Sequence, residues 1–576
     1  MPTIGVEKED FLRRTGIAKS VTQLELEHLF FDLGLELDDI EEENGKTIFK
    51  VDIPANRYDI LCIEGLCRAI NIFNNKTPDK YTLEGSPVEK IIVEESTAAV
   101  RPIVMGAVLR NVTFTESSYE SFIDLQDKLH QNLARQRTLS SIGTHDLDTV
   151  KGPFRYVARK PEDIKFVALK QEKEMSAPQL LEMYEKDSFM KQYVPIIKEK
   201  ERYPLILDSN ETICSLPPII NGEHSKITLA TKNVLIEVTG TDWAKTNIVL
   251  DTMVTMFSEY CAVPFKIEPV EVEYYSGKKE ITPSLKYWEE SVDPEYIRRQ
   301  IGLPQDVTAE TMAKLLSRMG LVSSYIRYEN EKIISRIPPT RHDILHPCDI
   351  MEDVAVAYDF NKLVMTMPPT NTVAKQLPIN KLCDLLRVDV AAAGFCEALT
   401  FALVSRADIG EKMGFDKLPA EAVTVSNPKT AEFQVCRTGL LPGLLKTTQA
   451  NRKLPLPLKL FEVSDVVLKD NSTHTGCRNE RHMSALCYSN TSGFEVIHGL
   501  LDRVMELLEV PPCEAGSADG YYIKKGSSPT YFQVCADIYL WNEKVGQMGV
   551  IHPNTLKAFD LPNPVSAFEI NLEPFL

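Results

Sequence analysis

The chain has 576 residues, 43% hydrophobic and 25% charged, with a formal net charge of −18. This length holds several domains, and this composition is that of a globular protein. Such an acidic balance argues against coating nucleic acid through bulk electrostatics, though not against a local basic patch or a basic partner chain. No run of about 18 apolar residues occurs, so no membrane span is expected. Residues 1–14 mix acids and bases without the apolar stretch of a secretory signal. The 12 cysteines form no CxxC pair. They read as reduced thiols of a cytoplasmic protein, not as a disulfide framework or a zinc site.

The first pattern lies in residues 1–80. Leu26, Leu29, Phe30 and Leu33 form a helix stripe, Thr22 and Glu25 suit a capping box, and Gly34 suits the helix end. Asn44-Gly45 between two strand-like runs signals a hairpin. Ile53-Pro54-Ala55-Asn56-Arg57-Tyr58-Asp59-Ile60-Leu61 then leads into a helix ending near Phe73. Arg57 and Asp59 read as an ion pair fixing the strand-to-helix turn.

Residues 85–280 carry strand-like pieces at 90–93, 103–111, 165–169, 205–208, 226–231 and 234–238. Helices are expected over 119–137 and 246–261. Three polar stretches stand out: Gly143-Thr144-His145-Asp146, Ser215 to Asn221, and Glu237 to Asp242. Each is either a turn or part of a shared site, with Asp242 also suited to capping the next helix. His145-Asp146 resembles an acid–base pair, but no Ser or Cys nucleophile follows from spacing.

Residues 285–365 repeat the first pattern. Met312, Leu315, Leu316 and Met319 renew the helix stripe, Gly320 its end, and Glu329-Asn330-Glu331 the hairpin. Ile337-Pro338-Pro339-Thr340-Arg341-His342-Asp343-Ile344-Leu345 renews the Pro-x-x-Arg-x-Asp motif. The match in order marks a duplicated module of about 60 to 80 residues. Only the second copy continues with Asp349, Glu352 and Asp353 on one face of a helix begun by Pro347. With Asp343 they form either an Mg²⁺ site of hard oxygen donors or an acidic first turn that complements the helix dipole. His342 and His346 are separated from a shared helix by Pro347, which argues against zinc.

Residues 370–576 read as an α+β domain around a largely antiparallel sheet. Helices are expected over 382–393 and 494–508, and strands over 458–463, 483–488, 532–540, 546–551 and 567–572.

The stretches Ile53–Leu61, Ile142–Leu147, Leu216–Asn221, Thr239–Asp242, Ile337–Asp353 and Arg437–Gly443 together resemble the phenylalanyl-tRNA synthetase β-subunit family, of the archaeal and eukaryotic cytosolic type. The resemblance implies a multidomain α+β protein with four parts. These are a first helix-hairpin-helix module (1–80), an α+β editing domain (85–280), a B5-like module with an Mg²⁺ site (285–365), and a class II synthetase-like antiparallel-sheet core lacking catalytic motifs (370–576). It implies a ligase subunit that supports ATP-dependent attachment of phenylalanine to tRNA(Phe) on a separate α subunit, within an α2β2 heterotetramer. It also implies hydrolysis of mischarged Tyr-tRNA(Phe). A pocket selective for phenylalanine rejects an added hydroxyl only weakly, so a second site must raise fidelity. The editing pocket is then expected at Glu237, Thr239, Leu205 and Ser215, and Mg²⁺ at Asp343, Asp349, Glu352 and Asp353. The class II signature needs an Arg-x-Glu and a late Gly-rich stretch ending in Arg. Here Arg437 is followed by Thr438-Gly439, and no such arginine ends the chain. A non-enzymatic scaffold with duplicated recognition modules, and a metal-dependent hydrolase, are the other readings.

Overall fold

The structure, a computed structural model, describes residues 2–43, 45–327, 331–367, 370, 372–526 and 530–576. It divides into two compact units, residues 1–367 and 368–576.

Each copy of the duplicated module holds a leading strand and helix that the sequence pattern does not mark. The first copy runs strand Thr3–Glu7, helix Lys8–Thr15, helix Gln23–Asp32, strands Glu36–Glu43 and Lys46–Asp52, then helix Ile63–Phe73. The second runs strand Trp288–Val292, helix Pro294–Ile301, helix Ala309–Arg318, strands Val322–Ile326 and Lys332–Ile337, then helix Pro347–Tyr358. In each, the last strand of the hairpin sits between the other two, giving the same three-stranded antiparallel sheet. The leading strand and helix escape a periodicity search because five- and eight-residue elements hold too few buried positions to make a stripe. The expected capping box of Thr22 and Glu25 is present. Gly34 and Gly320 end equivalent helices at φ +81° and +84°, where a Cβ would be strained. Asn44 and Glu329-Asn330, read as hairpin residues, lie outside the described residues.

Each Pro-x-x-Arg-x-Asp motif closes on itself. Arg57 Nε and Nη2 each donate to Asp59 at 2.9 Å. Arg341 Nε and Nη2 donate to Asp343 at 2.9 and 2.8 Å. The motifs also face each other, since Arg57, Asp59 and Arg341 line one small cavity between the copies. Burial opposes the charge on Arg341, yet Asp353 and Asp343 raise its pKa well above the usual range.

Between the copies lies a large mixed sheet. Its strands run, edge to edge, Ile220–Asn221, Ile213–Leu216, Tyr203–Leu207, Phe154–Arg159, Glu89–Val93, Lys266–Tyr274, Ile103–Leu109, Val234–Gly240 and Ser140–Asp146. The sheet curls until its edges nearly meet: Asp146 N donates to Ser225 O at 2.8 Å, and Asn221 Nδ2 to Thr144 O at 3.4 Å. Helices Glu116–Gln131 and Trp243–Phe257 cover the outer face, packing Phe122, Leu125, Met253 and Phe257 against Met105, Ala107, Ile236 and Val238. The inner face carries Val104, Val108, Leu235 and Val270.

Two expectations for this region are corrected. The helix expected over 119–137 stops at Gln131, and the chain turns back through Arg135, Gln136 and Arg137, all at positive φ. Residues 226–231 form turns held by Thr228 and Thr231 instead of a strand. Gly143–Asp146, left open between a turn and part of a shared site, belongs to the fully paired edge strand Ser140–Asp146.

The second unit is a seven-stranded sheet ordered Cys396–Glu397, Leu458–Lys469, Cys477–Tyr488, Val565–Asn571, Glu543–Ile551, Phe532–Leu540 and Tyr521–Lys525. It is antiparallel apart from the short first strand. Helices Pro378–Ala392 and Phe494–Leu507 bury Leu386, Val390, Leu501 and Val504 against one face of this sheet.

Candidate active site

A cavity of about 540 Å³ opens where the curled sheet almost closes. Its wall is formed by Gln126 and His130 of one helix, Ser141 and Thr144 of the edge strand, Ser215, and Glu237. The three polar stretches singled out in the sequence do meet here. They come from strands and a loop far apart in the chain, which only the curl of the sheet brings together.

Glu237 is the central group. It points from the middle of the Val234–Gly240 strand and is 1% exposed. Its cross-strand partners are Gly106 on one side and Gly143 on the other. A Cβ on Gly143 would stand 2.2 Å from Glu237 Oε1, so the glycine is what lets the carboxylate lie over the neighbouring strand. Ser215 Oγ donates to Glu237 Oε1 at 2.7 Å, and His145 Nε2 lies 3.7 Å from the same oxygen. Oε2 is buried with no hydrogen-bond partner. A buried acceptor left open in this way is costly unless a ligand donor fills it.

His145 and Asp146 are not a pair. Adjacent on one strand, they point to opposite faces. His145 Nδ1 meets Ser225 Oγ at 2.9 Å, and Asp146 Oδ2 accepts from Thr231 Oγ1 at 2.6 Å. Asp242 caps the Trp243–Phe257 helix, its Oδ1 accepting from Lys245 N at 2.8 Å.

The other two expected pocket residues fall outside the cavity lining. Leu205 is fully buried in the apolar cluster under the Ala177–Tyr184 helix. Its neighbour Ile206 packs in the inner-face cluster instead, as strand alternation requires. Thr239 is fully buried behind the cavity wall, bonded to Arg101 and Ser141.

Several wall residues carry no sequence signal. His130 is buried, its Nε2 accepts from Ile142 N at 2.9 Å, and burial pushes its pKa down to about 4. Arg137 lies 4.0 Å above the Tyr193 ring and donates to Ile219 O at 2.9 Å. His130 is set by the last turn of its helix, and Arg137 by the reversed turn after Gln131, which periodicity cannot foresee.

The acidic cluster of the second repeat does not assemble as four metal ligands. Arg341 holds Asp343 and also donates to Asp353 at 3.0 Å. Asp349 Oδ2 accepts from Leu345 N and His346 N at 2.8 and 2.9 Å, completing a capping box at the start of its helix. Glu352 is exposed. Among the described residues, no three His, Cys, Asp or Glu side chains are placed to share an ion. As arranged, this set does not fit Mg²⁺. Asp343 and Asp353 are paired with Arg341, and Asp349 with the backbone N–H groups just before its helix, so Asp349 serves as the acidic first turn that the sequence left as the alternative.

In the second unit Arg437 is 6% exposed and donates to Glu462 Oε1 at 2.7 Å. Glu569, near the chain's end, accepts from Leu440 N and Leu441 N and meets His482 Nδ1 at 2.8 Å. This arginine is already engaged, and a carboxylate occupies the head of the Leu441–Ala450 helix.

The chain is thus a mixed-sheet body between two copies of one module, followed in sequence by a largely antiparallel sheet flanked by helices. Four family models match in order: "Phe-tRNA synthetase beta subunit B1 domain" over residues 1–76, "B3/4 domain" over 90–262, "tRNA synthetase B5 domain" over 291–360, and "Phenylalanyl tRNA synthetase beta chain CLM domain" over 363–572. The chain is 50% identical over 596 aligned residues to the phenylalanine–tRNA ligase beta subunit of Homo sapiens, with both chains covered completely. It is 42% identical over 601 to that of Saccharomyces cerevisiae, again covering both. An N-terminal fragment of the phenylalanyl-tRNA synthetase beta subunit from Pyrococcus horikoshii superposes with a TM-score of 0.56 at 34% identity, covering 62% of this chain and 99% of the fragment. The chain belongs to the phenylalanine–tRNA ligase β-subunit family.

Proposed function

We propose that the chain acts with an α subunit and tRNA(Phe) in the cytoplasm, as a heterotetramer in which the α subunit attaches phenylalanine to tRNA. On this reading the central cavity hydrolyses tyrosine wrongly attached to that tRNA. The observation that carries the editing assignment is Glu237, a buried carboxylate lining a cavity of about 540 Å³, with one oxygen held by Ser215 and the other buried without a hydrogen-bond partner. That volume falls within the usual range for small-molecule sites. A phenol O–H fills the open acceptor. Phenylalanine leaves it desolvated and empty, and a site built to bond a hydroxyl rejects the analogue lacking it by about 10⁴-fold. The cavity is therefore shaped to clear tyrosine and spare the correct product.

The engagement of Arg437 by Glu462 supports a second unit without ATP chemistry, with the adenylation site on the partner chain. The family names support the α partner, and the Arabidopsis thaliana relative, printed as cytoplasmic, supports the location. The test is co-expression with the α chain of the same source. A co-purifying particle that charges tRNA(Phe) with phenylalanine and deacylates Tyr-tRNA(Phe) is expected. A solitary β chain, or a complex inert on Tyr-tRNA(Phe), overturns the assignment.

A further inference from the structure

Behind the cavity wall lies a buried guanidinium with an unusual set of partners. Arg101 is 2% exposed, and no carboxylate stands within salt-bridge reach of it among the described residues. It spends its hydrogens on neutral oxygens: Nε on Thr239 Oγ1 at 3.0 Å, Nη2 on Thr239 O at 3.0 Å and on Ser141 Oγ at 3.3 Å, and Nη1 on Thr138 O at 3.4 Å. Thr239 and Ser141 stand opposite each other on adjacent strands, their hydroxyl oxygens 2.9 Å apart.

This arrangement has a direction. Arginine only donates, so it fills an acceptor position on each hydroxyl. One O–H must then serve the link between them. If Ser141 donated to Thr239, the hydrogen of Thr239 would be left with no acceptor, because that side chain is fully buried and its remaining contact is a donor. An unmet buried donor costs about 1–3 kcal/mol. The opposite polarity moves the unpartnered hydrogen to the residue that a ligand can reach: Thr239 donates to Ser141, Ser141 accepts twice, and the free hydrogen belongs to Ser141. Ser141 lines the cavity, and Thr239 does not.

We propose that Ser141 is the hydroxyl donor of the cavity, directed into it by Arg101 acting through Thr239, and that its ligand is an acceptor oxygen, the ester carbonyl of an aminoacyl nucleoside. The identity of the ligand rests on the editing reading above. In the step so served, water adds to the ester carbonyl carbon and negative charge gathers on the carbonyl oxygen. Ser141 donates a hydrogen bond to that oxygen and keeps its proton. The bond to the ribose oxygen then breaks, water having supplied the new carboxylate oxygen and the hydrogen of the released ribose hydroxyl, with its second proton passing to solvent. Thr239 and Arg101 are positioning residues. The arrangement also accounts for Thr239 belonging to the site without lining it.

The test is deacylation of Tyr-tRNA(Phe) by the full complex with its α chain, each rate normalised to phenylalanine charging by the same preparation. Ser141→Ala is expected to lower kcat about 100-fold, the usual effect of removing one donor to a developing oxyanion, with KM for the charged tRNA within about twofold. Ser141→Thr keeps the hydroxyl and is expected to recover most of the rate. Thr239→Val preserves volume and is expected to cost about tenfold alone and nothing further beside Ser141→Ala, because the residues act as a unit. Ser141→Ala within about twofold of wild type, while Glu237→Gln is inactive, overturns the donor assignment and leaves the editing reading standing. Independent, multiplying losses at Ser141 and Thr239 overturn the relay. A wild-type complex inert on Tyr-tRNA(Phe) removes both.

Discussion

Gly143→Ala separates the geometry of Glu237 from its chemistry. The added Cβ would lie 2.2 Å from Oε1 and 2.9 Å from the carboxyl carbon, below the 3.0 Å that real Cβ contacts respect. The obstructing atoms are the end of a side chain, so the carboxylate moves by about 1 Å and the strand holds. That shift breaks the 2.7 Å bond from Ser215, a charge-assisted contact of about 1.5–3 kcal/mol. A misplacement of about 1 Å in a group that positions the substrate costs about 100-fold in rate. Purified complex carrying Gly143→Ala should therefore charge phenylalanine normally, melt as one cooperative transition, and deacylate Tyr-tRNA(Phe) about 100-fold more slowly. Deacylation within about twofold of wild type by a folded variant would show that the position of Glu237 does not matter.

Arg341→Met leaves Asp343 and Asp353 buried beside each other with no cation of their own motif. A loss of about 3–5 kcal/mol in unfolding is expected by denaturant titration, and Asp353→Leu added to it should restore part; an unchanged midpoint would mean the carboxylates are solvated. Asp349→Ala removes a helix cap at a cost of about 1 kcal/mol. That loss should be the same in EDTA as in millimolar Mg²⁺, and a wild-type stabilisation by Mg²⁺ that Asp349→Ala abolishes would reinstate the metal. In the second unit burial works against the charge of His482, but its bonds to Glu480 and Glu569 raise its pKa to about 9. The folded value exceeds the ordinary value near 6.5, so this stabilisation is complete below about pH 6.5 and is lost as pH rises through about 9. It amounts to about 3 kcal/mol. The midpoint should fall over that range in wild type and stay flat in His482→Gln.

The sequence made the repeat legible where chemistry is local. The Leu26 to Leu33 stripe, the capping box at Thr22, the helix-ending glycines and the Pro-x-x-Arg-x-Asp turn are each decided by neighbours within about seven residues. It also marked three polar stretches, around Gly143, Ser215 and Glu237, as either turns or a shared site, and the cavity lining includes residues of all three. What stayed hidden depends on contacts across the fold. Which face Leu205 turns to is set by strand alternation inside a curled sheet. The reach of Arg101 to Thr239 and Ser141 spans distant strands and has no periodic trace. The acids after Pro347 looked like ligands because four negative charges in one short stretch call for a counter-charge. The counter-charge is Arg341, already present in the motif, and the first copy carries Ala69 where the second carries Asp353.

The central claim is that the unpartnered oxygen of Glu237 selects tyrosine for hydrolysis. Its most direct measurement is the ratio of deacylation rates on Tyr-tRNA(Phe) and Phe-tRNA(Phe) for wild-type complex and Glu237→Gln. Wild type should clear the tyrosyl ester and leave the phenylalanyl ester intact, and Glu237→Gln should bring the two rates within about tenfold of each other by slowing the first. A Glu237→Gln complex that keeps the wild-type ratio would contradict the account.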